Sequence, residues 1–380
     1  MCSQRRKPNT DRISTLPDSI ICHILSFLPT KLSATTTVLS KRWNQLWLSV
    51  LFLDFDDQNF TNFAAFRHFI YSVMLMRDTT LPIRSFRLKC GISPGFDPYD
   101  INRLLSVVVK RGIQNLILDL SHTNHSFLIK LSPTVFSVFN CRNLVVLKLK
   151  RLVVYHDLPQ FDLPLLKTLH LDSVYFFGDF FIKFVKGCTI LEEFQTTDFL
   201  FRNDGSSEGI SFPNLVRANI SPVCWNNITF AWICNAKFMR VELSEEQQVH
   251  TFHNLTHMEL IFKSSWRTKW KWLVEVLEHC PKLQNLTLHK LYGHEVDEDD
   301  WKEPQTVPEC ISSQLRTCSL IAYKGTKFEL QFAEYIIKNA KLLHTMTVSA
   351  SPVDINTKHH MLMKLSLIPR GSTTCKLSFD

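Results

Sequence analysis

The feature that most constrains this chain is a short apolar pattern recurring from about residue 80 almost to the carboxy terminus. It reads as an apolar residue, two others, an apolar residue, one other, an apolar residue. Its members are Ile83-Phe86-Leu88, Ile113-Leu116-Leu118, Leu144-Leu147-Leu149, Leu166-Leu169-Leu171 and Leu191-Phe194-Thr196, the last polar in its third slot. It continues with Leu215-Ala218-Ile220, Phe238-Val241-Leu243, Leu255-Met258-Leu260, Leu283-Leu286-Leu288, Leu315-Cys318-Leu320 and Leu343-Met346-Val348. Alternation in the last three positions of each member predicts a short strand with one face buried. A single strand of this kind cannot cover its own apolar side, so the members must stack on one another.

From Ile83 to Leu343 the first positions span 260 residues in ten intervals, an average of 26, with single intervals from 17 to 32. That average lies within the range of about 20 to 29 residues for leucine-rich repeats. The expected architecture is therefore an irregular leucine-rich-repeat solenoid of mixed α/β (or α+β) class. The residues between the strand leucines point away from the shared core. Lys148, His170, Gln195, Asn219, Glu242, Glu259 and Thr287 are the candidate contacts on that concave side. They are polar and mixed in charge, which suits a protein ligand and not a phosphate-lined track.

The rest of the composition narrows the chemistry. The 380 residues contain only 10 glycines and 29 phenylalanines, which predicts cores filled by large side chains and few tight loops. No Gly-rich phosphate loop, HExxH or GxSxG occurs, and the 15 histidines are dispersed, so neither a catalytic centre nor a metal or cofactor is expected. Pairs such as His122 with His125, or His253 with His257, could lie close, but neither has matching cysteine or carboxylate partners in sequence. Eleven cysteines are scattered with no CxxC pair. Cys141, Cys188 and Cys280 each precede a first repeat position by three residues, the mark of a small packing residue at one register. The amino terminus has no apolar h-region and no stretch reaches a membrane span's length, so a reducing compartment, cytoplasmic and/or nuclear, is expected, with no membrane partner. The net charge of +8 comes from a mild excess of Lys and Arg. One segment, Ser265 to Trp272, interleaves bases with aromatics as nucleic-acid binders do. Trp266, Trp270, Leu273, Val274 and Leu277 nevertheless share one helix face, so it reads as a packed helix, and nucleic acid is not expected as a partner.

The first sixty residues have a different grain. Pro17 and Pro29 bracket about three helical turns. Within them Ile20, Ile24 and Phe27 form one stripe and Ile21, Leu25 and Leu28 an adjacent one, a wider apolar arc than a single core needs. A second helix is expected around Leu32 to Val38, and Ser40 is a plausible N-cap for a third carrying Trp43, Leu46 and Trp47. Three such helices cannot bury this surface among themselves. The runs Leu16-Pro17-Asp18, Ile24 to Lys31 and Val38 to Trp47, with Leu53-Asp54-Phe55-Asp56-Asp57 trailing, closely resemble the F-box of plant F-box proteins. The resemblance implies docking on the Skp-type adaptor subunit of an SCF ligase, and through it on a cullin-RING ligase core. It carries adaptor contacts to Leu16, Pro17, Ile20, Ile24, Leu28, Leu39, Ser40 and Trp43. Leu32 departs from it, standing where an acidic residue is common.

Downstream, Phe63, Phe66, Phe69 or Ile70, Val73 and Met74 fall at helical spacing and predict a helix joining the F-box to the first repeat. An acidic run, Glu295 to Asp300, reads as a solvated loop. Beyond it, Trp301 to Pro304, Val307 to Ile311, Leu315, Tyr323-Lys324-Gly325, Glu329-Leu330 and Tyr335 to Ala340 resemble the FBD domain of a large plant family. The expected organisation is an F-box at 11–57, a connecting helix at 58–80, leucine-rich repeats at 81–300 and an FBD-like carboxy-terminal cap at 301–372. The expected function is that of a non-catalytic substrate-recognition subunit of an SCF ubiquitin ligase whose concave face binds an unidentified substrate protein. The alternative is a non-degradative interaction scaffold.

Overall fold

Every apolar triplet within the described residues lies on or beside a strand, and one carbonyl per repeat fixes how successive strands pair. The computed structural model describes residues 13–91, 98–120, 129–131, 138–154, 161–176, 180–201, 210–223, 230–243, 246–262, 270–290, 304–352 and 354–379. By backbone packing the chain divides into two units, residues 1–152 and 153–380.

The first unit begins with helices α1 (Asp18–Leu25), α2 (Thr30–Thr35), a 3-10 turn at Thr36–Val38, and α3 (Lys41–Ser49). α1 is shorter than the three turns the prolines bracket. Pro29 disfavours the helical conformation at Leu28, and the chain tightens into bonds from Phe27 N to Ile24 O and Leu28 N to Leu25 O. α2 starts two residues earlier than expected, directly after Pro29. It gives way to the 3-10 turn where the Thr35 and Thr36 hydroxyls donate back to the Leu32 and Ser33 carbonyls, competing with helical bonding. Ser40 does occupy the N-cap of α3 in an extended conformation, but its hydroxyl makes no capping bond.

There follow β1 (Phe52–Asp56), α4 (Phe63–Met76), β2 (Ser85–Lys89), α5 (Pro98–Lys110), β3 (Asn115–Asp119), β4 (Ile129–Leu131) and β5 (Val146–Val154). β1, β2, β3 and β5 form a parallel sheet in that order, and β4 pairs with β5. β1 belongs to the repeat pattern. Leu53 and Phe55 lie in register with Phe86 and Leu88, and Val50, Leu53 and Phe55 are all buried. The strand array therefore starts inside the segment that resembles an F-box. α4, capped by Asn62 through a bond from Ala65 N (2.8 Å), crosses from β1 to β2 and buries Phe66, Ile70, Val73 and Met74.

The second unit contains β6 (Thr168–Phe176), α6 (Phe180–Lys186), β7 (Glu193–Thr197), β8 (Leu200–Phe201), β9 (Arg217–Val223), α7 (Phe230–Ile233), β10 (Phe238–Leu243) and β11 (His257–Phe262). It continues with α8 (Trp270–Glu278), β12 (Asn285–Lys290), α9 (Glu309–Ser313), β13 (Thr317–Tyr323), α10 (Lys327–Asn339), β14 (Thr345–Ala350), α11 (Ile355–Ser366) and β15 (Lys376–Phe379). Its strands are parallel and paired in chain order, with β8 alone off the path. Phenylalanines fill its first core layers: Phe161 meets Phe180 at 4.6 Å and Phe181 meets Phe199 at 4.7 Å between ring centroids. On α8 the buried tryptophan is Trp272, whose indole donates to Gln247 O (2.8 Å), while Trp270 is half-buried. Residues 263–269 and the acidic run fall outside the described residues.

The strand register is set by the residue after each first apolar position. Its carbonyl accepts two consecutive N–H groups from the next strand. Leu51 O takes Arg84 and Ser85, and Arg84 O takes Gln114 and Asn115. In the second unit Val216 O takes Lys237 and Phe238, Lys237 O takes Thr256 and His257, and Arg316 O takes His344 and Thr345. This pattern corrects one member of the repeat. Lys237 follows Ala236, so the core triplet is Ala236-Met239-Val241 and not Phe238-Val241-Leu243. Met239 pairs with Ala218 and Met258, and Phe238 turns to the outer face. Alanine in the first slot is too weak an apolar signal to read from sequence, and Phe238 drew the reading two residues along.

Two further features follow the same register. Arg151, Ser173 and Ala322 each adopt positive φ two residues beyond the third apolar slot, as does Asp198 beyond Thr196. At Ala322 this coincides with a pairing shift between β13 and β14, the bend expected of a bulge. Cys141, Cys188 and Cys280 are all buried. Burial pushes the Cys188 thiol up to about 12 and that of Cys280 well above its usual range, which disfavours thiolate chemistry and fits packing.

One buried group is at odds with its surroundings. The Arg77 guanidinium, at the end of α4, is buried without a hydrogen-bond partner among the described residues, and burial together with nearby Arg111 lowers it to about 10. An uncompensated buried charge costs stability. Arg77→Met is expected to stabilise the chain by about 1–4 kcal/mol, read as a raised urea midpoint at unchanged slope; a lowered midpoint would refute the assignment.

Candidate functional site

Two surfaces carry the candidate residues. The first is built by α1 to α3. Ile21 and Leu25 on the inner side of α1 are fully buried. α1 packs on α3, where the Cys22 thiol lies 3.7 Å from Leu46 O and 3.5 Å from Ser49 Oγ. α2 is tied down through Ser33 Oγ, which donates to Leu25 O (3.0 Å), and through Thr30 Oγ1, which accepts from Asp54 N in β1 (2.8 Å). Arg42 of α3 gathers the amino-terminal turn, donating to Asp18 Oδ1 (2.7 Å), Ser14 O (2.8 Å) and Leu16 O (2.6 Å). These bonds hold Leu16 and Pro17 at the start of α1 beside the start of α3.

With that core closed, the stripe of Ile20, Ile24 and Phe27 has nothing to cover it among the described residues. Ile20 and Ile24 remain exposed, one turn apart on α1, and Phe27 beyond them is 73% exposed. Leu39, ahead of α3, is 60% exposed, and Pro17 and Ser40 are exposed too. Leu16 and Leu28 are half-buried. Trp43 is the outlier of the eight, at 6% exposed: it lies in the core under α1 and can shape the face without lining it. Phe27, Leu32 and Val38 are further exposed apolar residues outside the eight that the resemblance implies, and the width of the apolar arc in the sequence already includes Phe27. Each such side chain gains about 1.5–3 kcal/mol when fully covered. A cluster of this size marks an interaction surface.

The second surface is the outward side of the strands. In the first unit Lys148 shares a row with Ile117, Arg87 and Asp54. Opposite charges alternate there, with Arg87 on Asp54 at 3.0 Å and Lys89 on Asp56 at 3.1 Å. In the second unit His170, Gln195, Asn219, Glu259 and Thr287 do fall in one row. The β10 member of that row is Arg240. Glu242 stands one step further along, opposite Ile261, because the β10 triplet begins at Ala236 and not at Phe238. Arg240 is the residue sequence reading missed. Its guanidinium donates to Glu259 Oε1 (3.1 Å) and Asn219 Oδ1 (3.2 Å), and His289 Nε2 lies 2.9 Å from the same Glu259 oxygen. His170 faces Glu193 at 3.3 Å, and Ser221 donates to Glu242.

Beside this row runs a stacked and hydrogen-bonded ladder. Arg217 lies over the Phe238 ring at 4.6 Å, and the Phe238 and His257 rings meet at a tilt of 32° with centroids 4.5 Å apart. Thr317 Oγ1 donates to Asn285 Oδ1 (2.6 Å), which turns the Asn285 amide nitrogen to His257 Nε2 (2.9 Å). His257 Nε2 thus accepts, and Nδ1 carries the proton toward Thr256 Oγ1 (2.9 Å). Burial first, then Arg217, lowers the His257 pKa and keeps this imidazole neutral. Burial and Arg240 also lower His289, against the pull of Glu259. Among the described residues no three His, Cys, Asp or Glu side chains converge as a metal site would need, and no helix is long and apolar enough to cross a membrane. His122 and His125 lie outside the described residues.

Both histidines have folded-state values below 6.5, so the unfolded chain binds their protons more readily. Their contribution to stability is complete above about pH 6.5 and is lost as pH falls through the lower folded values. The melting temperature should drop between about pH 7 and 5, and H257Q with H289Q should flatten that slope. An equally steep slope in the double variant would remove the ladder as its source.

Comparison with known proteins gives two family matches, the F-box domain at residues 13–55 and the FBD domain at residues 303–348. Relatives in Arabidopsis thaliana align over nearly the whole chain. FBD-associated F-box protein At4g10400 is 30% identical over 97% of this chain and 100% of its own length. FBD-associated F-box protein At5g56370 and F-box/FBD/LRR-repeat protein At4g26340 are each 29% identical over the same shares.

Proposed function

The chain belongs to the plant family of F-box proteins that also carry an FBD domain and leucine-rich repeats, and from that we propose that it is the substrate-recognition subunit of an SCF-type ubiquitin ligase. F-box domains generally bind Skp1-type adaptors, and F-box proteins generally serve SCF ligases as substrate adaptors. The single observation that supports the docking role here is the exposed apolar side of α1 with Leu39, left open by a core that is already complete. On this reading the Skp-type subunit covers Leu16, Pro17, Ile20, Ile24, Leu28, Leu39 and Ser40, with Trp43 beneath them, and brings a cullin-RING core with it. The protein itself is non-catalytic: it holds a substrate while the assembled ligase transfers ubiquitin.

The strands of each unit act as a leucine-rich-repeat solenoid presenting its polar rows. In the second unit the row from His170 to Thr287, with Arg240 at its centre, supports recognition of a protein surface of mixed charge. Its Arg, Glu, Asn and His groups offer donors and acceptors at fixed spacing, whereas a nucleic-acid track would favour one sign of charge. As an SCF subunit it would work in the cytoplasm and/or nucleus, where its eleven cysteines stay thiols.

Ile24→Asp with Leu39→Asp should weaken capture of the Skp-type adaptor by about 2 kcal/mol or more, roughly thirtyfold, at unchanged melting temperature, because both side chains are exposed. Trp43→Ala should instead destabilise the F-box by about 3–5 kcal/mol. Calorimetric titration of the purified partners reads the first and thermal unfolding the second; unchanged adaptor affinity in the double variant would overturn the docking role. Reconstituted ubiquitin transfer separates a ligase subunit from a scaffold that binds the adaptor without degrading anything.

A further inference from the structure

The turns that lead into β9 to β15 carry charge of one sign. They are residues 211–217, 234–238, 250–257, 279–285, 314–317, 339–345 and 370–376, and none contains Asp or Glu. Because the strands are parallel and in register, these turns all enter at the same edge of the sheet. Lys237, Arg316 and His344 occupy one row there, that of the doubly accepting carbonyls. Lys376 stands in the next row, opposite Thr345, and Lys282 and Lys341 lie just before the first core slots Leu283 and Leu343. Lys237, Lys282, Arg316, Lys341 and Lys376 are all exposed, and none has an ion-pair partner among the described residues. With neighbouring strands about 4.8 Å apart, the rim from β10 to β15 is about 24 Å long.

Carboxylates elsewhere on the face are already engaged. At the β6 and β7 end Glu192 pairs with Lys167 at 2.7 Å and Glu193 faces His170 at 3.3 Å. Further into the face Glu259 is held by Arg240 at 3.1 Å and His289 at 2.9 Å. The rim is thus a line of uncompensated cations, which sets up a field for an anionic partner.

Its neighbours favour a peptide over a nucleic acid. The aromatic rings in these turns give bases no free platform: Phe212 and Phe252 are buried, and Phe238 is engaged by Arg217 and His257. Leu342, directly before Leu343, is 47% exposed among the cations, and an apolar side chain could cover it where a phosphate backbone could not. Inward from the rim, Thr287, Ser319, Thr347 and Ser378 form one row of short hydroxyl side chains, which can donate to and accept from a peptide backbone. A second copy of the chain would bring like charges together.

We propose that this rim binds an acidic, extended segment of the substrate polypeptide, whose Asp and Glu side chains meet Lys237, Lys282, Arg316, Lys341 and Lys376. About seven extended residues span the rim. The inference rests on the reading of this unit as a substrate-binding solenoid and names the class of segment it takes.

The test is selection of a random dodecapeptide display library on the full chain, followed by titration of the enriched peptides. Selection runs in parallel on Lys237→Glu/Arg316→Glu/Lys376→Glu and on Lys186→Glu/Lys271→Glu/Lys364→Glu, which changes net charge equally at exposed helix positions. Peptides rich in Asp and Glu should be enriched on the wild type and on the helix variant. Their affinity should fall as salt rises, and should fall at least about tenfold on the rim variant or when their Glu is replaced by Gln. Unfolding curves check that both variants keep their fold. Enrichment of neutral or basic peptides, or none, would overturn the proposal, as would equal losses in the two variants. So would tighter binding of a twelve-residue oligothymidylate or of phosphatidylserine vesicles than of the best peptide, abolished in the rim variant. Adaptor capture by the rim variant and peptide binding by Ile24→Asp/Leu39→Asp should both be unchanged, so failure of the ligase reading and failure of the rim are told apart.

Discussion

The structure depends on one backbone interaction repeated along each unit: a carbonyl just after the first apolar slot that accepts two successive N–H groups of the next strand. A parallel ladder has evenly spaced bonds and could slip by one residue, which would send every core side chain to the solvent face. The doubly accepting carbonyl prevents this by fixing where each strand begins. Once Lys237 O holds Thr256 and His257, Met258 must lie against Met239, and the core residues of successive repeats meet. The outer rows follow from the same bond, since every residue between two core slots is then aligned with its counterparts. Arg240 reaches both Asn219 and Glu259 because the register puts it between them.

The F-box segment resolves a different problem, an apolar arc too wide for one core. α1 spends Ile21 and Leu25 on α3 and leaves Ile20, Ile24 and Phe27 outside. The division is enforced from both ends of the segment. Arg42 anchors the amino-terminal turn, and Thr30 anchors α2 to the first strand. The exposed stripe is thus held in place by a folded support and does not depend on its own packing. Because β1 is at once the tail of this segment and the first strand of the sheet, the docking face is mounted directly on the repeats that follow it within the first unit.

Much of this was legible in the sequence. The triplets locate the strands correctly wherever all three slots are large and apolar, as in Leu283-Leu286-Leu288. The reading slips at β10, where the first slot is small: Ala236 is silent, and the nearby Phe238 supplies a stronger but false signal. The same error exchanged Glu242 for Arg240 in the outer row. Val50-Leu53-Phe55 is a full repeat triplet that lies inside the stretch resembling an F-box. The resemblance carries an adaptor contact to Trp43, whose burial depends on how α1 closes over α3. The exposure of Phe27 likewise depends on which of two adjacent stripes turns inward.

The repeating strands, the three-helix start and the surplus of apolar surface are readable from the chain alone, because periodicity and proline placement are local properties. Which stripe of α1 faces out, which residue of β10 joins the outer row, and how far Leu377 and Phe379 of β15 are covered are set by packing in the folded chain. Those outcomes depend on pairing between residues twenty or thirty positions apart. Burial and register belong to the pair, so no single segment carries them.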